Sequence, residues 1–424
     1  MADLFLSYQK PGDIFMNFKP EKLYYSVVFS FVMTLSMVGC IPDSAKKKGE
    51  AQAALEKGRI DLCRTCPPGF MLNEEHKCVA KNLYQQYGSL QEAGVGGLKT
   101  GLPEVRDGFS PEQIDLGRYL FFDPVLSADG TISCSSCHNP KRGFSDGRPV
   151  AIGIRDSILQ RSTPSLWNVA YLKKFFWDGR AGSLEEQLQG PLYASNEMAN
   201  TPENLLRTLN DYPEYRRLFS MAFPDRSAGD SIGIQEIYTA LTAFETSLVS
   251  LNSRYDHYAH GYHNALNEKE IEGLNIFRSF VARCAECHTP PLFTNQQIAV
   301  IGTPEPEGMD FDPGAGPVFN DVTRRGGFKV PSLRNIEKTA PYMHSGRFGT
   351  LRETVEFYTK GRGHAVPDDE KLYLHWHIWE PNLSEEELDR LVDFLKTLTD
   401  ESFTPEIPGV LPSQVKQHGT ISSS

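Results

Sequence analysis

The chain has 424 residues, enough for two to three domains with real cores, and its 40% hydrophobic, 23% charged composition excludes a disordered or fibrous protein. Lys and Arg number 43 against 54 Asp and Glu, a net charge of −11. Such a surface repels a phosphate backbone, so nucleic acid is not an expected partner.

In chain order, Lys19 and Lys22 precede the apolar run Tyr24 to Gly39, and Cys40 follows. This is a signal-peptide layout over residues 1–39, with Met16 an alternative start. Met37-Val38-Gly39-Cys40 resembles a bacterial lipobox, in which Cys40 is lipidated. A plain signal peptide or an uncleaved anchor is the alternative, although the run is short for a spanning helix. Either way the expected location is the periplasm or cell envelope, with a lipid anchor as the membrane attachment. Residues 40–100 read as a tether with a small Cys-containing segment: Cys63-Arg64-Thr65-Cys66-Pro67, then His76-Lys77-Cys78. Pro67 rules out a haem motif there. An oxidising compartment predicts one disulfide closed by Cys78 and a leftover thiol, with a Cys3His metal site on Cys63, Cys66, His76 and Cys78 as the alternative.

Ser110-Pro111-Glu112-Gln113 predicts a helix start, with Ser110 as N-cap, Pro111 at the first position and Gln113 closing a capping box. After the apolar Leu120-Phe121 comes Cys134-Ser135-Ser136-Cys137-His138. A C-x-x-C-H run attaches a c-type haem: two thiols add to the porphyrin vinyl groups and the imidazole reaches the iron. The unit recurs. Asn267-Glu268-Lys269-Glu270-Ile271 predicts a second capped helix through Phe277, and Cys284-Ala285-Glu286-Cys287-His288 repeats the motif. A third capping box, Ser384 to Glu387, leads Leu388, Leu391, Val392, Leu395 and Leu398 along one helical face. The expected architecture is mainly α: an N-terminal haem domain over 101–255, a C-terminal one over 256–405, long loops such as Gly302 to Gly327, and a tail over 406–424. Two covalently bound c-type haems are the expected cofactors.

A haem iron either carries a second axial ligand or keeps that position open. Between His138 and His257 the chain has no histidine, and its methionines there are Met198 and Met221. The first iron is therefore the better candidate for an open site.

Trp177-Asp178-Gly179-Arg180, Leu184-Glu185-Glu186-Gln187, Gly190-Pro191, Asn196-Glu197-Met198, Val330-Pro331-Ser332-Leu333-Arg334-Asn335 and Thr339 to Gly346 follow one another in family order. Over roughly Gly108 to Leu398 the chain resembles the bacterial di-haem cytochrome c peroxidase and MauG family, and more closely its MauG-like branch. The resemblance implies two cytochrome-c-like haem domains and a peroxidase. It implies that Glu197 is the distal acid-base over the first haem, that Gln187 supports it by hydrogen bonding, and that Trp177 relays electrons between the haems. It implies Tyr358 as sixth ligand of the second iron, with Met343, His344, His364 and Met309 as weaker candidates. An anionic phenolate stabilises higher oxidation states, so such a haem would store an oxidising equivalent.

Three departures accompany the resemblance. Ala151 to Arg161 contains no histidine, so no reductive activation by loop movement is expected. The inter-domain calcium is in question: Thr339 and Pro341 offer carbonyls, but Ser162 stands where an Asn side chain is usual. Ala282 replaces the surface Trp through which the quinone-forming member oxidises its partner, so another substrate or exit route is needed. The expected substrate is hydrogen peroxide, and the donor a small cytochrome or a partner-protein side chain. The rival readings are a MauG-like protein-modifying oxidase with no cytochrome donor and a pure electron-transfer dihaem cytochrome.

Overall fold

The computed structural model describes residues 59–81, 102–226, 229–360, 366, 370–378 and 381–414. The expected signal segment, Cys40, the tether up to residue 58 and the candidate ligand His364 lie outside them. Among the described residues no helix is long and apolar enough to cross a membrane.

The protein is mainly helical, with two small antiparallel sheets. In chain order the elements are β1 (Phe70–Leu72), β2 (Cys78–Ala80), α1 (Pro111–Phe122), α2 (Cys134–Cys137), α3 (Leu184–Tyr193), α4 (Pro202–Asp211), α5 (Pro213–Ala222), α6 (Ile234–Thr246), α7 (Arg254–Ala259), α8 (Glu268–Phe277), α9 (Cys284–Cys287), β3 (Ile298–Val300), α10 (Ala315–Phe319), β4 (Gly327–Lys329), α11 (Leu351–Phe357) and α12 (Glu385–Lys396). The helix starts follow the capping chemistry in the sequence. Ser110 Oγ accepts from the Gln113 amide at 3.2 Å while the Gln113 side chain accepts from the Ser110 amide at 3.0 Å. Asn267 with Glu270 and Ser384 with Glu387 do the same for α8 and α12.

Two cores are built on one plan. In the first, α1 crosses α6 at Gly117, where a β-carbon would come within 2.9 Å of the Phe244 Cβ. In the second, α8 crosses α12 at Gly273, where it would come within 2.8 Å of the Phe394 Cβ. Only glycine permits either approach. Three rings back each crossing: Phe121 meets Phe244 at 5.0 Å and Phe144 at 6.2 Å, and Phe277 meets Phe394 at 5.1 Å and Phe293 at 5.8 Å. Each buried Phe or Leu here is worth roughly 1.5–3 kcal/mol of transfer free energy.

The match extends to polar details. The Ser247 and Thr397 hydroxyls each donate to the carbonyl three residues back, Phe244 and Phe394, at 2.7 Å. The Asn168 amide donates to Leu248 O at 2.8 Å and the Asn335 amide to Leu398 O at 3.1 Å. Both asparagines are left-handed, with φ of 64° and 58°, and each closes a Pro-Ser-Leu-x-Asn run.

Arg161 ties the segment carrying Trp177 to the long loop ahead of β4, donating to Asp178 at 2.6 Å and to Asp312 at 2.6 and 2.9 Å. The small N-terminal segment is closed by a Cys66–Cys78 disulfide, as expected for Cys78. Two expectations fail there. Cys63 is disulfide-bonded too and is no leftover thiol. His76 Nε2 lies 3.1 Å from Glu112 Oε2, away from any thiol set, so the alternative Cys3His site does not form.

Candidate haem-binding active site

Helix α2 is one turn long because its function is to space two thiols; Ser133 and Ser136 bond each other's backbone to hold it. His138 follows at its C-terminus, and its Nδ1 lies 2.9 Å from the Phe144 carbonyl. A carbonyl only accepts, so Nδ1 carries the hydrogen and Nε2 is left with a lone pair for a metal. On α9 the arrangement recurs: His288 Nδ1 lies 3.2 Å from both Phe293 O and Pro331 O. Burial lowers both imidazoles' pKa, that of His288 to about 4, so both rings are neutral ligands at ordinary pH. The four thiols are free, and burial raises their pKa, Cys137 to about 11 and Cys284 to about 12.

Both motifs open on one cavity of about 1010 Å³. Its walls include every site residue expected from the sequence: Cys134, Cys137, His138, Trp177, Gln187, Glu197, Cys284, Cys287, His288, Thr339, Pro341 and Tyr358. Paired free thiols, a neutral imidazole beside each pair and a largely apolar wall fit two covalently held porphyrins.

Glu197 sits in the turn after α3, held by its backbone: its amide donates to Ala194 O at 3.0 Å and its carbonyl accepts from the Ile154 amide at 2.8 Å. Burial raises the pKa of its carboxyl and Arg180 opposes the shift; its charge is felt at Cys137, the first motif's second thiol. Gln187, on α3, faces the same cavity, but the expected hydrogen bond to Glu197 is not made. Both side chains line the cavity. The loop Ala151 to Arg161 is pinned by the Ile154–Glu197 bond and by a bridge between Ile152 and Ile158.

Trp177 lies at the seam of the two units. Its Nε1 donates to Ser162 O at 2.8 Å, its carbonyl accepts from the Lys329 amide at 2.7 Å, and its ring meets His344 edge-on at 6.5 Å. His344 is engaged elsewhere, 2.8 Å from Glu305 Oε1 and stacked on Phe328 at 3.8 Å, which removes it as a ligand for the second iron.

Helices α3 and α11 begin alike, Ser183 and Thr350 capping Leu184 and Leu351. The eighth residue from each start is Pro191 in α3 and Tyr358 at the end of α11, and both face the cavity. Tyr358 is charge-coupled to Cys284 and Cys287, so it looks toward the second motif; burial, then those thiols, raise its phenol pKa. Met343 also borders the cavity, at a left-handed turn with φ 73°. Met309 does not border it.

Residues 111–264 match the family model described as di-haem cytochrome c peroxidase. The chain is 36% identical over 309 residues to the cytochrome c551 peroxidase of Nitrosomonas europaea, covering 72% of this chain and 86% of that one. It is also 36% identical over 299 residues to the methylamine utilization protein MauG of Methylorubrum extorquens, covering 70% of this chain and 81% of that one. Among solved structures, a MauG-like protein associated with microbial copper homeostasis is 32% identical with a TM-score of 0.65, covering 72% of this chain and 94% of that one.

The chain belongs to the di-haem cytochrome c peroxidase and MauG family. It is an oxidoreductase acting on hydrogen peroxide, with two c-type haems and a cytochrome or protein partner.

Three further side chains border the cavity of this peroxidase that the sequence did not single out: Lys329, Glu245 and His377. Lys329 is half-buried, and the desolvation lowers its pKa to about 8. Glu245 is treated below. His375 and His377, an H-x-H run legible in the sequence, each bring a ring nitrogen within 4.8 Å of Cys287 Sγ and of each other. Once Cys287 is a thioether, that group reduces to two imidazoles, with Glu286 2.8 Å from His377.

Proposed function

We propose that the chain reduces hydrogen peroxide at an open first haem, held by Cys134, Cys137 and His138, and relays oxidising equivalents through Trp177 to a second haem held by Cys284, Cys287, His288 and Tyr358. The observation that carries this reading is the contrast at the eighth position of α3 and α11. Pro191 has no atom to give a metal, whereas Tyr358 has a phenol oxygen.

When bound, the haems supply the electrons and the Lewis-acid iron for O–O cleavage, and the net reaction takes peroxide, two electrons and two protons to two waters. The chain's own groups supply position and protons. Glu197, its pKa raised by burial, is a carboxyl able to take a proton from the near peroxide oxygen and deliver it to the leaving one. Gln187, which also lines the cavity, orients the substrate. His138, fixed by Phe144 O, keeps its lone pair aimed, and the half-buried Lys329 is a counter-charge for a haem propionate. A pinned, histidine-free loop after the first motif supports activity without prior reduction. The donor is a small cytochrome or a side chain of a partner protein, and the Tyr at 358 favours the MauG-like branch. Calcium held by Thr339 and Pro341 carbonyls belongs to this reading only in weakened form, because the Ser162 hydroxyl donates to Met343 O at 2.9 Å. The apolar leader supports export to the periplasm or cell envelope.

Electron paramagnetic resonance of the ferric protein tests the reading: one high-spin and one low-spin haem are expected. Two low-spin signals would reduce the protein to an electron carrier. Turnover of reduced cytochrome c on untreated enzyme then separates the donors, fast turnover favouring the cytochrome and slow turnover with a long-lived oxidised state favouring protein modification.

A further inference from the structure

The repeat fixes a register between α6 and α12 that neither sequence alone supplies. Phe244 and Phe394 occupy one position, set by Gly117 and Gly273; Ser247 and Thr397, then Leu248 and Leu398, keep it. The residue after the Phe is Glu245 in α6 and Leu395 in α12. Both face the haem cavity, and both are buried, at 3% and 6% exposure. Packing therefore accepts a leucine at this place, and the first unit carries a carboxyl instead. Its Oε2 has no hydrogen-bond partner. An orphaned buried carboxyl oxygen on a cavity wall is aimed at what fills the cavity.

We propose that Glu245 is a positioning residue for the charge of the first haem, coupling the redox state of that iron to one proton, a coupling the second haem lacks because Leu395 stands in its place. The inference rests on the reading that Cys134 to His138 holds the first haem. One electron arriving from the donor adds one negative charge to a low-dielectric pocket, and the Glu245 carboxylate takes up one proton, leaving the pocket's charge unchanged. Loss of the electron releases that proton.

The surrounding charges fit a carboxyl that changes state near neutrality. Burial first, and Glu185 from α3 second, raise its pKa to about 8. Glu185 is itself held by Arg106 at 2.6 Å. Cys134 faces it from α2 but stops titrating once it is a thioether. On α1, Arg118 engages Asp115 at 2.8 Å and stands over the Tyr119 ring, and Tyr171, in the turn after Asn168, answers to Asp107 and Arg334.

The test is a spectroelectrochemical titration of both haems in the holoprotein from pH 6 to 9. In the parent protein the first haem's midpoint should fall by up to ~59 mV per pH unit, the tenfold change of a one-electron, one-proton couple. E245Q and E245L should flatten that slope and leave the second haem's slope as it was; L395E should give the second haem a slope. A first-haem slope that survives E245Q or E245L, or a parent protein with no slope, overturns the proposal. If neither Glu245 variant takes up its first haem, L395E decides: no added slope at the second haem overturns it. Spin state separates the two readings, since two low-spin signals would sink the open-site function while the slope could still be read.

Discussion

The two haem units share a helix crossing, a ring triad, a Pro-Ser-Leu-x-Asn turn and a motif histidine whose Nδ1 is held by backbone carbonyl oxygen, and they differ at a few residues on the cavity wall. Where the second unit has Tyr358 the first has Pro191, and where it has Leu395 the first has Glu245; off the second unit's wall, buried Arg334 stands at the turn position that Trp167 holds in the first. A duplicated fold thus keeps the geometry that holds a porphyrin and varies the groups that decide what its iron does. The first unit's wall presents acids, Glu197 and Glu245, and no sixth ligand at the α3 position. The second unit's wall presents a phenol and leucines.

The largest expected effect on this contrast comes from the acid proposed to stand over the first haem. Glu197→Gln should slow peroxide consumption ~10²–10⁴-fold, the usual worth of a positioned proton-transfer group. Haem content by absorbance should not change; normal turnover would remove the acid-base role.

Next comes a test of what the second unit alone depends on. Arg334 is fully buried and donates to Asp256 at 2.6 and 2.8 Å, so Asp256→Ala strands a charge and should cost about 3–5 kcal/mol in denaturant unfolding. A loss under about 1 kcal/mol would mean that the pair is dispensable.

Tyr358→Met should raise the second haem's potential by on the order of 100 mV, within the ~0.8 V that axial ligands span, and leave the first haem alone. An unchanged second potential would show that Tyr358 is not the ligand.

The smallest effect per step is a pH trend. Glu245 has its folded pKa raised from 4.5 to about 8, so its contribution to stability is present in acid and lost as pH rises through that window. Glu245→Gln should therefore gain thermal stability relative to the parent by up to ~1.4 kcal/mol per pH unit from pH 5 to 8. A constant difference across pH would show that the carboxyl is ionised throughout.

Much of this was legible in the chain itself. The two C-x-x-C-H runs, the capping boxes at Ser110, Asn267 and Ser384, and the leucine stripe of α12 are local patterns, readable because cap chemistry and helical period act over three or four residues. The absence of histidine between His138 and His257 is equally legible, and it made the first iron the candidate for an open site. The missed hydrogen bond between Gln187 and Glu197 and the engagement of His344 with Glu305 depend on which segments meet across the cavity, and spacing does not encode that.

The sequence by itself determined the cofactor class, the helical repeat and the residues able to ligate or move protons, because these are properties of residue type and short-range order. Only the tertiary structure decided that both motifs open on one cavity, that Trp177 lies at the seam, and that Pro191 answers to Tyr358 and Glu245 to Leu395. Those pairings exist because Gly117 and Gly273 let two helices approach until backbone and ring touch, and that contact fixes the register of each wall.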